Sequence, residues 1–393
     1  MIFSAAVQED NPELVEARRQ RIKCQRYAEA LGEITKEKFT IAVSGMHGKS
    51  TTTAMIGLMM EKAGLDPTVI VGTKVKWNSG LPKSDFKSSP KSDFDGSNFR
   101  MGQSKYLVIE ADEYDRSFLN YWPKILVLLN IEEEHLDTYI GGLPNIMKTF
   151  EEYIGHLPAD GVLVANGEDG NIATLLNSKS EILNSKQIQN SKFKIQKYDS
   201  KNERGLKLKI PGRHDIGNAN VALSVAKILG ISDSLADKAL NEFNGTWRRM
   251  EYKGELNGAK IYDDYGHHPT EIKATLAGAR ELLASNGKLW CVFQPHQYHR
   301  TYDLFEQFVG AFSDADKTII LPIYSVVGRE SEEIKKQVNS EKLVEAIGKT
   351  GKDILFMEDF DKLVKYLKEN LQPGDVCLIM GAGDIYKLTG KLI

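Results

Sequence analysis

Cysteine is scarce in this chain. Its three residues, Cys24, Cys291 and Cys377, are too few and too scattered for a disulfide framework or a thiolate zinc site. Cys291 and Cys377 lie in apolar strand-like runs, where a buried thiol is the simple reading. No apolar run approaches the roughly 18 residues that suggest a membrane span, so no membrane insertion is expected. Residues 1–7 are apolar but meet Gln8, Glu9 and Asp10 with no basic stretch before them, which is not a secretory signal. An excess of positive charge is also absent. The 51 Lys and Arg against 54 Asp and Glu leave a formal net charge of -3, which excludes nucleic acid as the main expected partner. The chain is therefore expected in the cytoplasm, and 393 residues suggest roughly two to three domains.

The most informative segment is 45–53, which reads Gly-Met-His-Gly-Lys-Ser-Thr-Thr-Thr. It follows an apolar run at 39–43 that predicts a buried strand. It precedes Ile56, Met59, Met60 and Ala63, spaced as on one face of a helix. Strand, glycine turn and helix are the context that identifies a phosphate-binding loop. Gly48 lets the backbone approach phosphates, successive amides at the helix start face the anion, Lys49 reaches the terminal phosphates and Ser50 can ligate Mg²⁺. The general motif has a glycine where Val43 stands, so the loop is a variant.

Beyond residue 39 strands and helices alternate. The apolar runs at 106–109 and 125–129 suit strands covered on both faces of a parallel sheet, which gives an α/β organisation. Residues 1–38 read as a strand over 2–7, a helix start at Asn11 and Pro12 with a helix over 13–26, and a connector, too little for a domain. Two polar, repetitive insertions interrupt the pattern, with Lys-Ser-Asp-Phe twice in 79–97 and Asn-Ser-Lys three times in 176–192. After residue 246 a second α/β unit begins, with strands expected near 260–263, 289–293, 318–321, 354–357 and 376–380 and a helix opened by Pro269. The Gly-Ala-Gly-Asp run at 381–384 reads as a tight turn rather than a dinucleotide fingerprint. The expected division is 1–38, 39–246 and 247–393.

Several strand ends carry polar residues that a scaffold alone does not require. Residues 110–115 read Glu-Ala-Asp-Glu-Tyr-Asp, and carboxylates beside a phosphate loop suit Mg²⁺ bound to a nucleotide. Residues 130–137 read Asn-Ile-Glu-Glu-Glu-His-Leu-Asp, placing His135 at the same sheet edge. Further clusters are Gly-Arg-His-Asp-Ile-Gly-Asn at 212–218, Trp-Arg-Arg at 247–249, Asp-Asp-Tyr-Gly-His-His-Pro at 263–269 and Gln-Pro-His-Gln-Tyr-His-Arg at 294–300. Singly each fits a cap or a turn. Their repetition at strand ends argues for a cleft.

Together and in this order, these strings resemble the Mur ligase family, which adds amino acids to peptidoglycan precursors by ATP-driven amide formation. The resemblance implies a P-loop central domain with a mostly parallel sheet, followed by a smaller Rossmann-like α/β domain. It implies ATP and Mg²⁺ as cofactors, UDP-N-acetylmuramate and L-alanine as substrates, and an acyl phosphate as intermediate. Gly45, His47, Gly48, Lys49, Ser50, Thr51, Asn218, Arg248 (or Arg249) and Asp264 are then expected at the nucleotide. Ser50 and Glu110 would hold one Mg²⁺ and His135 a second, while Tyr265, His267 and Arg300 would lie near the incoming amino acid. The chemistry is expected from Lys49, Glu110, His135, His267 and Arg300.

The chain departs from the family pattern at Met46 for threonine, Glu134 for aspartate and Gln297 for arginine, the last removing a charge from the expected carboxylate clamp. Residues 1–38 match only the tail of the family's N-terminal UDP-binding domain. The alternatives are a murein-tripeptide ligase of the same family and an ATP-binding protein without ligase activity.

Overall fold

A computed structural model describes residues 1–4, 7–78, 96–135, 138–182, 193–201, 205–326 and 330–393. Most of both polar insertions, and Asp137, lie outside the described residues. The chain divides into two compact units, Met1–Leu208 with Ile216–Phe243, and Lys209–Asp215 with Asn244–Ile393.

In the first unit the described strands form a sheet in the order Ser97–Arg100, Thr68–Val75, Tyr106–Glu110, Phe39–Ser44, Ile125–Leu128, Val162–Asn166 and Lys194–Tyr198. All neighbours are parallel except the first pair. Ala42, Ile109 and Leu126 point to the face covered by Phe118, Phe150 and Tyr153, whereas Ile41 and Val43 alternate to the other face and are equally buried. Burial on both faces explains the unbroken apolar runs of the central strands. Parallel order also places the loops after Phe39–Ser44, Tyr106–Glu110 and Ile125–Leu128 at one edge.

The second unit repeats the plan with described strands in the order Glu251–Leu256, Ala259–Asp264, Val376–Met380, Leu289–Phe293, Lys317–Ile320 and Ile354–Phe356. Only the first pair is antiparallel. Cys291 and Phe293 enter one apolar layer, and Trp290 and Val292 enter the other. The helix Pro269–Arg280 starts where His268 caps the Thr270 amide and Glu271 bonds back to the His268 amide.

Three local expectations are corrected. The strand over 2–7 is only Ile2–Phe3, paired in parallel with Gln25–Arg26. The helix over 13–26 is Pro12–Arg19, capped by Asn11 and closed where Arg21 turns to a φ of 58°. The helix Lys49–Lys62 is not one-sided, since Ser50 to Gly57, Met59 and Met60 are all buried. A helix enclosed on most sides needs no polar face, so spacing alone misread it.

Candidate active site

In the first unit the phosphate loop is shaped by its neighbours at the sheet edge. The strand Phe39–Ser44 ends at Gly45, and Gly48 opens the helix Lys49–Lys62 at a φ of 84°. A side chain at Gly48 would have its Cβ 2.6 Å from Asn218 Oδ1. The same Asn218 oxygen accepts from the Thr52 hydroxyl at 3.1 Å, so this residue braces the first helical turn. Asn130 clamps the loop from the adjacent strand end, accepting from the His47 amide at 2.8 Å and donating to its carbonyl at 2.9 Å. Met46 turns its side chain into the core and leaves its backbone in the loop. Thr51 is buried in the first turn.

Charges converge on this loop. The Lys49 ammonium donates to the carbonyls of Gly45 at 2.8 Å and Met46 at 3.1 Å, and to Glu113 Oε1 at 2.9 Å. Burial alone would lower its pKa, but Glu113, Asp112 and Glu110 raise it above the ordinary lysine range. Glu113 is fully buried, and burial pushes its carboxyl up, yet Lys49 and His135 hold it below the usual carboxylate range. His135 Nε2 lies 3.3 Å from Glu113 Oε1 and 4.0 Å from the buried Glu134. The Ser50 hydroxyl donates to Glu110 at 3.0 Å, and the other Glu110 oxygen accepts from the Gly72 amide at 2.6 Å.

Ser50 and Glu110 therefore present adjacent oxygens, and donor atoms of Glu113, Glu134 and His135 lie within 4.8 Å of one another. The Ser50 and Glu110 oxygens fit a hard divalent cation, whereas both Glu113 oxygens are held by the Lys49 ammonium. The first unit thus gathers Gly45, His47, Gly48, Lys49, Ser50, Thr51, Glu110, His135 and Asn218. Sequence reasoning gave no role to Glu113 or Asn130. Glu113 was one of four acids in 110–115, and nothing in their order marks which one turns inward.

The remaining expected residues form a second group in the second unit. Arg248 is 2% exposed. Its guanidinium donates to Asp263 at 3.0 Å, to the Gly381 carbonyl at 2.5 Å and to the Gly383 carbonyl. Those donors serve the protein's own backbone and the Asp263 carboxylate. Arg249, bonded to Glu271 at 3.2 Å, is the more exposed of the two. Asp264 is buried and accepts from the Met250 and Gly266 amides at 2.8 Å and 2.7 Å, which fixes the turn after its strand. The His267 and His296 rings meet edge to face with centres 6.0 Å apart, and Arg300 Nη1 lies 3.4 Å from His296 Nδ1. Gln294, which sequence reasoning left without a role, accepts from the Ile385 amide at 3.1 Å and holds the turn at 381–384.

A helix-opening phosphate loop at the edge of a mostly parallel sheet, faced by carboxylates, defines a nucleotide-dependent α/β enzyme. Residues 43–226 match the Mur ligase middle domain, 248–383 the Mur ligase glutamate ligase domain, and 2–39 the Mur ligase family catalytic domain. UDP-N-acetylmuramate–L-alanine ligase of Acetivibrio thermocellus is 39% identical over 406 aligned positions, which cover 99% of this chain and 81% of the relative. Its counterpart from Caldanaerobacter subterraneus subsp. tengcongensis is 38% identical, with 100% and 84% covered. Among solved structures, UDP-N-acetylmuramate-alanine ligase from Thermotoga maritima shares the fold with a TM-score of 0.73 at 24% identity, covering 100% of this chain and 83% of that one. A murein peptide ligase from Psychrobacter arcticus does so with a TM-score of 0.63 at 22% identity, covering 98% and 83%. The chain belongs to the Mur ligase family, the ATP-dependent ligases of peptidoglycan precursor synthesis. Among the described residues no helix is long and apolar enough to cross a membrane.

Proposed function

We propose that this ligase joins L-alanine to the carboxylate of UDP-N-acetylmuramate, using ATP and Mg²⁺. The observation that carries the reading is its 39% identity, over 99% of its length, to a relative named for that reaction. In the proposed sequence the muramate carboxylate takes the γ-phosphoryl group of ATP, the alanine amine attacks the acyl phosphate, and phosphate leaves.

The chain's own residues fit the demand of that first step, which is to bring two anions together. Lys49 supplies a fixed positive charge at the loop, and the amides of the first helical turn add partial positive charge. Ser50 and Glu110 would hold one Mg²⁺ and His135 a second. When bound, the ions would neutralise the phosphates and the carboxylate. Asn218 would keep the loop's entry into its helix fixed, through Thr52. In the second unit Arg300, with His267 and His296 beside it, offers a cationic corner for the amino acid's carboxylate.

Phosphate release by the purified chain tests the reading. Release should require ATP, Mg²⁺, UDP-N-acetylmuramate and an amino acid together, with L-alanine preferred over glycine and L-serine. Release with a murein tripeptide but not with L-alanine would move the assignment to the tripeptide ligase. ATP binding with no release under any combination would favour a nucleotide-binding protein without ligase activity.

A further inference from the structure

The ammonium group of a lysine has three donors, and in Lys49 all three are engaged within the protein. Two go to the loop's own carbonyls at Gly45 and Met46. The third goes to Glu113, the partner that carries charge and comes from outside the loop. Both Glu113 oxygens lie 2.9 Å from the ammonium, and one also faces His135 at 3.3 Å. The backbone of Glu113 is anchored too. Its carbonyl accepts from the buried Tyr139 hydroxyl at 2.6 Å and from the Arg116 amide at 3.0 Å.

We propose that Glu113 is a positioning residue for phosphoryl transfer, fixing Lys49 and His135 relative to one another while an arriving phosphate replaces the loop carbonyls on Lys49. This rests on the reading of residues 45–51 as the ATP loop. A charge that stabilises a transition state acts best when it does not have to reorganise. Glu113 supplies that fixed reference at a fully buried point. It also places a negative charge near the incoming triphosphate, which weakens ground-state binding. Neutralising it therefore separates the two effects.

The test compares the parent chain with E113Q and E113D by calorimetric titration with Mg-ATP, steady-state kinetics and thermal melting. E113Q should bind ATP as tightly as the parent or up to about tenfold more tightly, while kcat falls at least tenfold. E113D should recover part of the lost kcat. Parent-like kcat in E113Q overturns the proposal. So does a joint loss of ATP affinity and melting temperature, which marks a merely structural carboxylate. If E113Q does not fold, Tyr139→Phe decides, because it removes one of the two hydrogen bonds that anchor the Glu113 carbonyl and leaves the charge. A kcat lowered about two- to fivefold at unchanged ATP affinity is expected there, and an unchanged kcat overturns the proposal. Absence of ATP binding by the parent would instead refute the loop reading itself.

Discussion

The two sheets each send a central strand into a glycine turn, and the two turns serve opposite ends. In the first unit Phe39–Ser44 leads through Gly45 and Gly48 into a long helix, and the nearby Lys49 and His135 side chains retain 12% and 17% exposure. In the second, Val376–Met380 leads into Gly381, where a Cβ would lie 2.6 Å from the Gln294 carbonyl oxygen. The cation there, Arg248, is bonded to Asp263 and to the turn's own carbonyls. A glycine turn after an apolar strand signals that something approaches the backbone closely. Whether that partner is a ligand or the protein's own side chain depends on the residues facing the turn.

The largest test of this contrast removes the cation from each turn. Sequence reasoning alone treats Lys49 as needed only when phosphate is bound, so that Lys49→Ala would leave the fold intact. The buried pair argues for a cost in stability as well, because the fully buried Glu113 would keep only His135 beside it. Lys49→Ala should abolish ATP turnover and also destabilise the first unit by about 3–5 kcal/mol, the range for a buried charge left unpaired. The double variant K49A/E113Q should regain most of that stability without regaining activity. Equal melting temperatures for the parent and K49A would show that Glu113 does not depend on Lys49.

Arg248→Ala should be comparably destabilising, by about 3–5 kcal/mol, since it leaves Asp263 unpaired at a site where both side chains are 2% exposed. Arg249→Ala should change stability by less than about 1 kcal/mol, because its pair with Glu271 is closer to solvent. Calorimetric unfolding of both variants checks the difference. If Arg248→Ala melted like the parent and only its KM for ATP rose, the arginine would belong with the ligand-facing turn after all.

How much of this was legible from the sequence follows the same division. Strands Leu289–Phe293 and Val376–Met380 were readable to the residue, because burial on both faces leaves an uninterrupted apolar run. The phosphate loop was readable because its chemistry lies in the backbone and in adjacent residues. Glu113 and Arg248 were not, for one shared reason. A buried charge is identified by partners 64 and 15 residues away in the chain, at Lys49 and Asp263, and no local spacing encodes that meeting. The helix Lys49–Lys62 was recognised for its position but misjudged in its surroundings.

A smaller perturbation compares the glycines directly. Gly48→Ala and Gly381→Ala both force a side chain onto positive φ, at 84° and 145°, and each should lose about 1–3 kcal/mol of stability from strain and crowding. Their functional signatures should diverge. Gly48→Ala pushes on Asn218 and the first helical turn, so ATP affinity should fall at least tenfold beyond any loss of folded protein. Gly381→Ala pushes on Gln294 within the second unit, so ATP affinity per folded molecule should stay within about twofold of the parent. Matching losses of ATP affinity in both variants would erase the distinction between the turns.

The smallest expected effect concerns Gln297, which caps the helix Tyr298–Asp303 in the second unit. Its backbone has a φ of 71°, with its amide bonded to the Tyr324 carbonyl at 2.9 Å and its carbonyl accepting from the Thr301 hydroxyl at 2.8 Å. Those contacts belong to the backbone, so exchanging the side chain should leave the cap and the fold unchanged. A glutamine amide can accept or donate a neutral hydrogen bond, whereas an arginine offers a charged, bidentate grip on a carboxylate. Arg300 already stands three residues along, beside His296. Gln297→Arg should therefore lower the KM for L-alanine about three- to tenfold, an added charge-assisted contact of roughly 1 kcal/mol, and leave the KM for ATP nearly unchanged. Steady-state kinetics with each substrate varied in turn measures the split. An equal change in both constants, or none in either, would mean that Gln297 faces no amino-acid carboxylate and that the capture of L-alanine rests on other residues.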